Sequence, residues 1–155
     1  MGEQSFVNRT DLGLTHIALA VRAIDASVDF YQTYAGMQVV HQRKDAGTGV
    51  NVAWLSDLTR PFVIVLIESG APASPLRPLS HLGVALRSRE EVDRRCERAR
   101  REARRVDGPQ DSGYPVGYWA FIEDPDGHTL ELSFGQEIAF TVEDFRHDRV
   151  QSNGK

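Results

Sequence analysis

The sequence predicts an α+β fold made of two tandem βαβββ units, and three observations carry the prediction. Leu14–Val21 (LTHIALAV) and Leu79–Leu86 (LSHLGVAL) match residue type for residue type, 65 positions apart. Each alternates as a β-strand does, and each carries one histidine near its start. Each is then followed by a stretch of helical periodicity and by short apolar runs bounded by turn-forming residues.

The elements follow in order. Residues 1–13 are polar and Gly-containing, a loose lead-in. The first unit spans 14–70. In its first strand Ile17, Leu19 and Val21 point one way, and His16, Ala18 and Ala20 the other. The aliphatic stripe suits packing on a helix, while the small-residue stripe leaves room above the sheet. A helix is predicted from Ile24 to Tyr34, with Ile24, Val28, Tyr31 and Ala35 on one face and Gly36 ending it. Strands are predicted at Met37–Gln42, Val50–Leu55 and Phe62–Glu68. The Ser-, Pro- and Gly-rich stretch Ser69–Pro78 closes the unit, with residues 71–78 as linker.

The second unit spans 79–136. His81, Gly83 and Ala85 share one face of its first strand, and Leu82, Val84 and Leu86 the other. A helix is predicted from Arg89 to Arg105, with Ser88 and Glu91 as a capping box and Val92, Cys96, Ala99 and Ala103 as its apolar stripe. Its basic run RRCERARREARR reads as a solvated face with interspersed Glu. A short strand and loop fall within Val106–Pro115, a strand at Val116–Glu123 and the last strand at Thr129–Phe134. Asp124-Pro-Asp-Gly127 is a tight turn, and His128 beside it is expected to be exposed. Residues 137–155 are expected to form a tail. Ile138, Phe140 and Val142 would pack back on the body, and the end QSNGK would fray.

Composition narrows the function classes. The chain has 155 residues, is 41% hydrophobic and 26% charged, and carries a net charge of −4. Those values suit a soluble globular domain, and scattered Lys and Arg argue against nucleic acid as a partner. No apolar run approaches the roughly 20 residues of a bilayer span. The start, MGEQSFVNRTDLG, lacks a signal-peptide pattern, and Phe6 stands where myristoylation after Gly2 prefers Ser or Thr. A single cysteine, Cys96, allows no internal disulfide. A cytoplasmic location is the expectation.

Three chemistry-bearing groups fall on the small-residue faces: His16, His81 and Glu131, the last sharing its strand face with Thr129 and Ser133. Two imidazoles and a carboxylate suit a divalent transition metal with open coordination positions, provided the three strands converge. Two structural histidines and a paired glutamate fit the same spacing, so both readings stand open on spacing alone.

The sequence resembles the vicinal oxygen chelate superfamily, which includes glyoxalase I, bleomycin-resistance proteins and extradiol dioxygenases. The resemblance covers about residues 12–136 and rests on LTHIALAV, DASVDFYQTYAGM, LSHLGVAL and FIEDPDGHTLELSFG. It implies tandem βαβββ modules forming a curved mixed-sheet cup around a metal, with His16, His81 and Glu131 at the ligand positions. Glyoxalase-type members add a fourth ligand on the last strand of the first module. Two alignments of FVIVLIESG place either Val65 or Leu66 there, and Glu68 nearby is the candidate fourth ligand. The remaining two-His, one-carboxylate set matches non-haem Fe(II) oxygenases and the Mn(II)-using fosfomycin-resistance branch. The latter carries a Thr where this chain has Ala18 and cations around its site, where the stretch before Glu131 offers Asp111 and no Lys. Extradiol dioxygenases carry a Tyr where Phe121 stands, with Tyr118 close by.

The expected function is therefore a metal-dependent enzyme with dioxygenase-like chemistry, using Fe(II) or Mn(II), with Zn(II) or Ni(II) as alternatives. Its substrate is a small molecule with adjacent oxygens chelated to the metal. A glyoxalase-like lyase or isomerase is the second reading, and a metal-free drug-binding protein the third. His41 and Tyr118 are the candidate catalytic residues, and Tyr114, Tyr118 and Trp119 the candidate walls. A homodimer is expected by analogy.

Overall fold

The computed structural model of the chain describes residues 11–152. Residues 1–10 of the expected lead-in, Gly2 and Phe6 among them, and 153–155 of the expected frayed end lie outside the described residues. The chain divides into two compact units, Met1–Ala73 and Ser74–Lys155.

The first unit contains β1 (His16–Val21), α1 (Ile24–Ala35), β2 (Gln38–Lys44), β3 (Asn51–Ser56) and β4 (Val63–Glu68). Its sheet has the order β1-β4-β3-β2, with β1 parallel to β4 and the other pairs antiparallel. One sheet face packs on α1. Leu19, Val21, Ala53, Leu55, Ile64 and Leu66 are buried there together with Ile24, Phe30, Tyr31 and Tyr34 of the helix. The strand alternation therefore holds: Leu19 and Val21 are buried while His16 and Ala18 are exposed. Gly36 ends α1 with φ +66°, a left-handed conformation that glycine adopts without a Cβ penalty.

The second unit repeats the order with β5 (Leu82–Ala85), α2 (Arg89–Arg101), β6 (Val106–Asp111), β7 (Tyr118–Glu123) and β8 (Thr129–Phe134). Its sheet order is β5-β8-β7-β6, again with the first strand parallel to the last. Val92, Cys96 and Ala99 of α2 are fully buried, as are Leu130 and Leu132 of β8. Two basic residues of α2 are paired to Glu one turn away, Arg95 to Glu91 and Arg98 to Glu102, which suits a solvated helix face.

Four expectations need correction. The second helix ends at Arg101, four residues early, because Ala103 turns into the left-handed region (φ +57°). That conformation usually calls for Gly, so the sequence offered no stop signal. The capping box is displaced by one residue. Ser88 Oγ accepts the Glu91 N–H, but the Glu91 carboxylate takes the N–H of Arg87.

His128 is buried at 3% exposure instead of exposed. The Asp124 carboxylate accepts the N–H groups of Asp126 and His128, which tightens the turn, and the His128 Nδ1 accepts the Leu76 N–H at 3.0 Å. Finally, the expected tail is a helix, α3 (Ile138–Ser152), and Ile138, Phe140 and Val142 are exposed. Ile138 and Val142, four residues apart, share one side of the helix, and Phe140 stands on the opposite side, so the three do not form a single packing face.

Candidate functional site

In the second unit, β8 lies between β5 and β7, which places Glu131 opposite Gly83 on one side and Phe121 on the other. Opposed residues share a sheet face, so the carboxylate stands on the face away from α2. Glu131 is 7% exposed. Gly83 leaves space over it, since a Cβ there would lie 3.9 Å from Glu131 Oε1. His81 sits just ahead of β5, with its Nε2 3.5 Å from Glu131 Oε2 and its ring 5.0 Å from that of Phe121.

Two further groups orient this pair. His81 Nδ1 lies 2.7 Å from the Pro78 carbonyl oxygen, and a carbonyl only accepts, so Nδ1 carries the proton. That leaves Nε2 facing the carboxylate, as a lone pair when the ring is singly protonated. Gln136 Nε2 donates to Glu131 Oε1 at 2.6 Å. Two electron-pair donors 3.5 Å apart repel unless a cation or proton lies with them. An imidazole fixed through its far nitrogen, beside a hydrogen-bonded carboxylate, fits a divalent metal of the Mn, Fe, Ni or Zn type. Among the described residues of this unit no third His, Cys, Asp or Glu joins them.

In the first unit His16 begins β1, exposed, with Nδ1 3.0 Å from Thr15 Oγ1. The register resolves the question of the fourth position. Ala18 pairs with Val65, as Gly83 pairs with Glu131, and each follows its histidine by two residues. Val65 is thus the counterpart of Glu131, and it cannot bind a metal. Glu68 lies on the other face, in line with the buried Ile64 and Leu66. Its carboxylate accepts the Asn51 amide at 2.5 Å and the Ile24 N–H at the start of α1 at 3.1 Å. Those two bonds, Asn51 first, hold it below the ordinary carboxylate range.

A register shift in β2 between Val39 and His41 re-aims the strand, so His41 pairs with Trp54 and shares the face of Val65 and His16. The His41 and Trp54 rings lie 5.0 Å apart. Tyr118 is turned the other way. Its hydroxyl donates to Asp93 of α2 at 2.6 Å, and that bond pushes its pKa up to about 12. Tyr118 therefore stands apart from Glu131, and Trp119 and Phe121, with rings 4.6 Å apart, line the Glu131 face instead. Tyr114 is exposed.

The sequence reading missed Gln136 and the Pro78 carbonyl. A polar side chain just beyond Gly135, whose φ of +80° turns the chain after β8, was the available signal for the first.

Comparison with known proteins agrees with this architecture. A profile of the Glyoxalase/Bleomycin resistance protein/Dioxygenase superfamily matches residues 13–132. The chain is 38% identical over 128 residues to the uncharacterized protein PA2024 of Pseudomonas aeruginosa, covering 81% of this chain and 90% of that one. Among solved structures it resembles the fosfomycin resistance protein FosX of Listeria monocytogenes, complexed with Mn(II) and 1S,2S-dihydroxypropylphosphonic acid. The TM-score is 0.63 at 22% identity, over 80% of this chain and 93% of that one. It also resembles the trypanothione-dependent glyoxalase I of Leishmania major, with a TM-score of 0.62 at 20% identity over 93% of this chain and 100% of that one. At those identities the two structures speak for the fold. The match over residues 13–132, with the βαβββ order found twice, places this chain in the glyoxalase/bleomycin resistance protein/dioxygenase superfamily.

Proposed function

We propose that the protein is a metal-dependent enzyme of small-molecule metabolism in which His16, His81 and Glu131 hold one divalent cation. The observation that carries this reading is the convergence of His81 Nε2 and Glu131 Oε2 at 3.5 Å behind an Nδ1 fixed on the Pro78 carbonyl. Bound there, the ion supplies Lewis acidity to a substrate that presents two adjacent oxygens. Glu131 offsets the ion's charge, Gln136 holds that carboxylate in place, and Phe121 and Trp119 wall the site with apolar surface.

Val65 at the fourth position supports a three-membered ligand set, because it leaves more metal positions open. That favours dioxygenase-like chemistry with Fe(II) or Mn(II) over a four-ligand lyase or isomerase on Zn(II) or Ni(II), which would need a water in place of Glu68. A drug-binding protein that works without metal has no use for the His81–Glu131 pair. A homodimer belongs to the same reading by analogy, and a cytoplasmic location by the single cysteine, Cys96. No helix among the described residues is long and apolar enough to cross a membrane.

Elemental analysis after loading with Fe(II), Mn(II), Zn(II) or Ni(II) tests it. We expect about one ion per chain and loss of binding in His81→Ala. Less than about 0.1 ion per chain after every loading, or unchanged metal content in His81→Ala, would overturn it. Oxygen uptake with catechols by the Fe(II)-loaded protein then separates ring cleavage from lyase chemistry.

A further inference from the structure

The first unit carries a cleft of about 640 Å³ on the sheet face that bears His16. That is a volume suited to a small organic ligand. Its floor is apolar, with Ala18, Val63, Val65 and Ile67 from β1 and β4. Its walls include Trp54 and Phe62. Trp54 is 37% exposed, an unusual state for the largest apolar side chain at the centre of a sheet.

Two arginines, Arg43 and Arg60, also line it, and among the described residues Asp11 is the one carboxylate beside them. Three arginines of α2 are tied to carboxylates: Arg89 to Asp111, Arg95 to Glu91 and Arg98 to Glu102. Among the described residues Arg43 and Arg60 enter no ion pair. The Arg43 guanidinium instead stands 5.7 Å from the centre of the Trp54 ring, and Arg60 Nε donates to Thr59 Oγ1 at 3.4 Å. Asp45, two residues from Arg43, is turned to the N–H groups of Gly47 and Thr48. An apolar floor, an exposed indole and two arginines that outnumber the Asp11 carboxylate and form no ion pair among the described residues are complementary to a flat apolar body carrying one anionic group.

We propose that this cleft binds a small aromatic carboxylate, its ring on Trp54 and Phe62 and its carboxylate on Arg43 or Arg60. The proposal names the substrate class of the metal site and rests on that reading for the reaction, while the binding itself needs no metal.

Isothermal titration of the full chain with 2-naphthoate, and with 2-naphthalenemethanol as its uncharged counterpart, tests it. Both chelator-treated and Mn(II)-loaded protein are used. We expect saturable naphthoate binding in both forms and alcohol binding about tenfold weaker, the scale of one charge-assisted hydrogen bond. Arg43→Gln or Arg60→Gln weakens naphthoate about tenfold and leaves the alcohol unchanged. Trp54→Leu weakens both ligands. The proposal is overturned if naphthoate fails to bind, binds only with Mn(II), binds no better than the alcohol, or is indifferent to both arginine substitutions. Naphthoate binding to a protein that takes up no Mn(II) would uphold the cleft and refute the metal reading, so the two failures are distinguishable.

Discussion

Replacing Gln136 by Leu removes the side-chain donor that Glu131 Oε1 has among the described residues while keeping a side chain of similar bulk. The bond is short, 2.6 Å, and ends on a carboxylate that is 7% exposed, so little water is at hand to replace it. A hydrogen bond to a charged group is worth about 1.5–3 kcal/mol. Loss of a partner that orients a metal ligand typically costs about 10–100-fold in metal affinity, or roughly 1.4–2.7 kcal/mol. The two estimates overlap, so if Glu131 holds the metal as proposed, Mn(II) should bind Gln136→Leu about 10–100-fold more weakly than the native chain. The free Mn(II) signal in an electron paramagnetic resonance titration reads the affinity directly, with far-ultraviolet circular dichroism confirming an unchanged fold. Unchanged Mn(II) affinity in a folded Gln136→Leu protein would refute the orienting role of this side chain.

Other consequences concern stability. Glu68 is held below its ordinary value of 4.5 by Asn51 and the Ile24 N–H, so its stabilisation is present above that pH and is lost as pH falls through the folded value. In urea unfolding, Glu68→Gln should be less stable than the native chain near neutrality, and the gap should close in acid; a pH-independent gap would contradict the assignment. His128→Leu strips the Leu76 N–H of its acceptor and should lower stability by about 1–3 kcal/mol, with an unshifted denaturation midpoint as the contrary result. Gly117 has φ +79°, and a Cβ there would lie 2.5 Å from the Phe134 carbonyl oxygen. Gly117→Ala should therefore cost more than about 2 kcal/mol. Gly135→Ala, with φ +80° and open space, should cost only about 1 kcal/mol. Equal thermal shifts for the two would show that the clash is absent.

Much of the fold was legible because its signals are local. The alternation in LTHIALAV and TLELSF is a period-two pattern, and a strand displays it whatever it pairs with. Thr129–Phe134 was bounded correctly between the Asp124–Gly127 turn and Gly135. Gly36 announced the end of α1, whereas Ala103, doing a glycine's work at φ +57°, concealed the end of α2. The burial of His128 was illegible for a different reason. Its partner, the Leu76 N–H, lies 52 positions away.

The sequence by itself determined the two-fold repeat and the faces on which His16, His81 and Glu131 stand, since repetition and alternation need no knowledge of neighbours. Only the tertiary structure decided between Val65 and Leu66, because that choice depends on the pairing of β1 with β4. It also turned Glu68 to the start of α1, Tyr118 to Asp93 and His41 to Trp54. Each of those side chains was placed by strand register or by a partner far away in the chain, and a one-residue change in register would have put it on the opposite face.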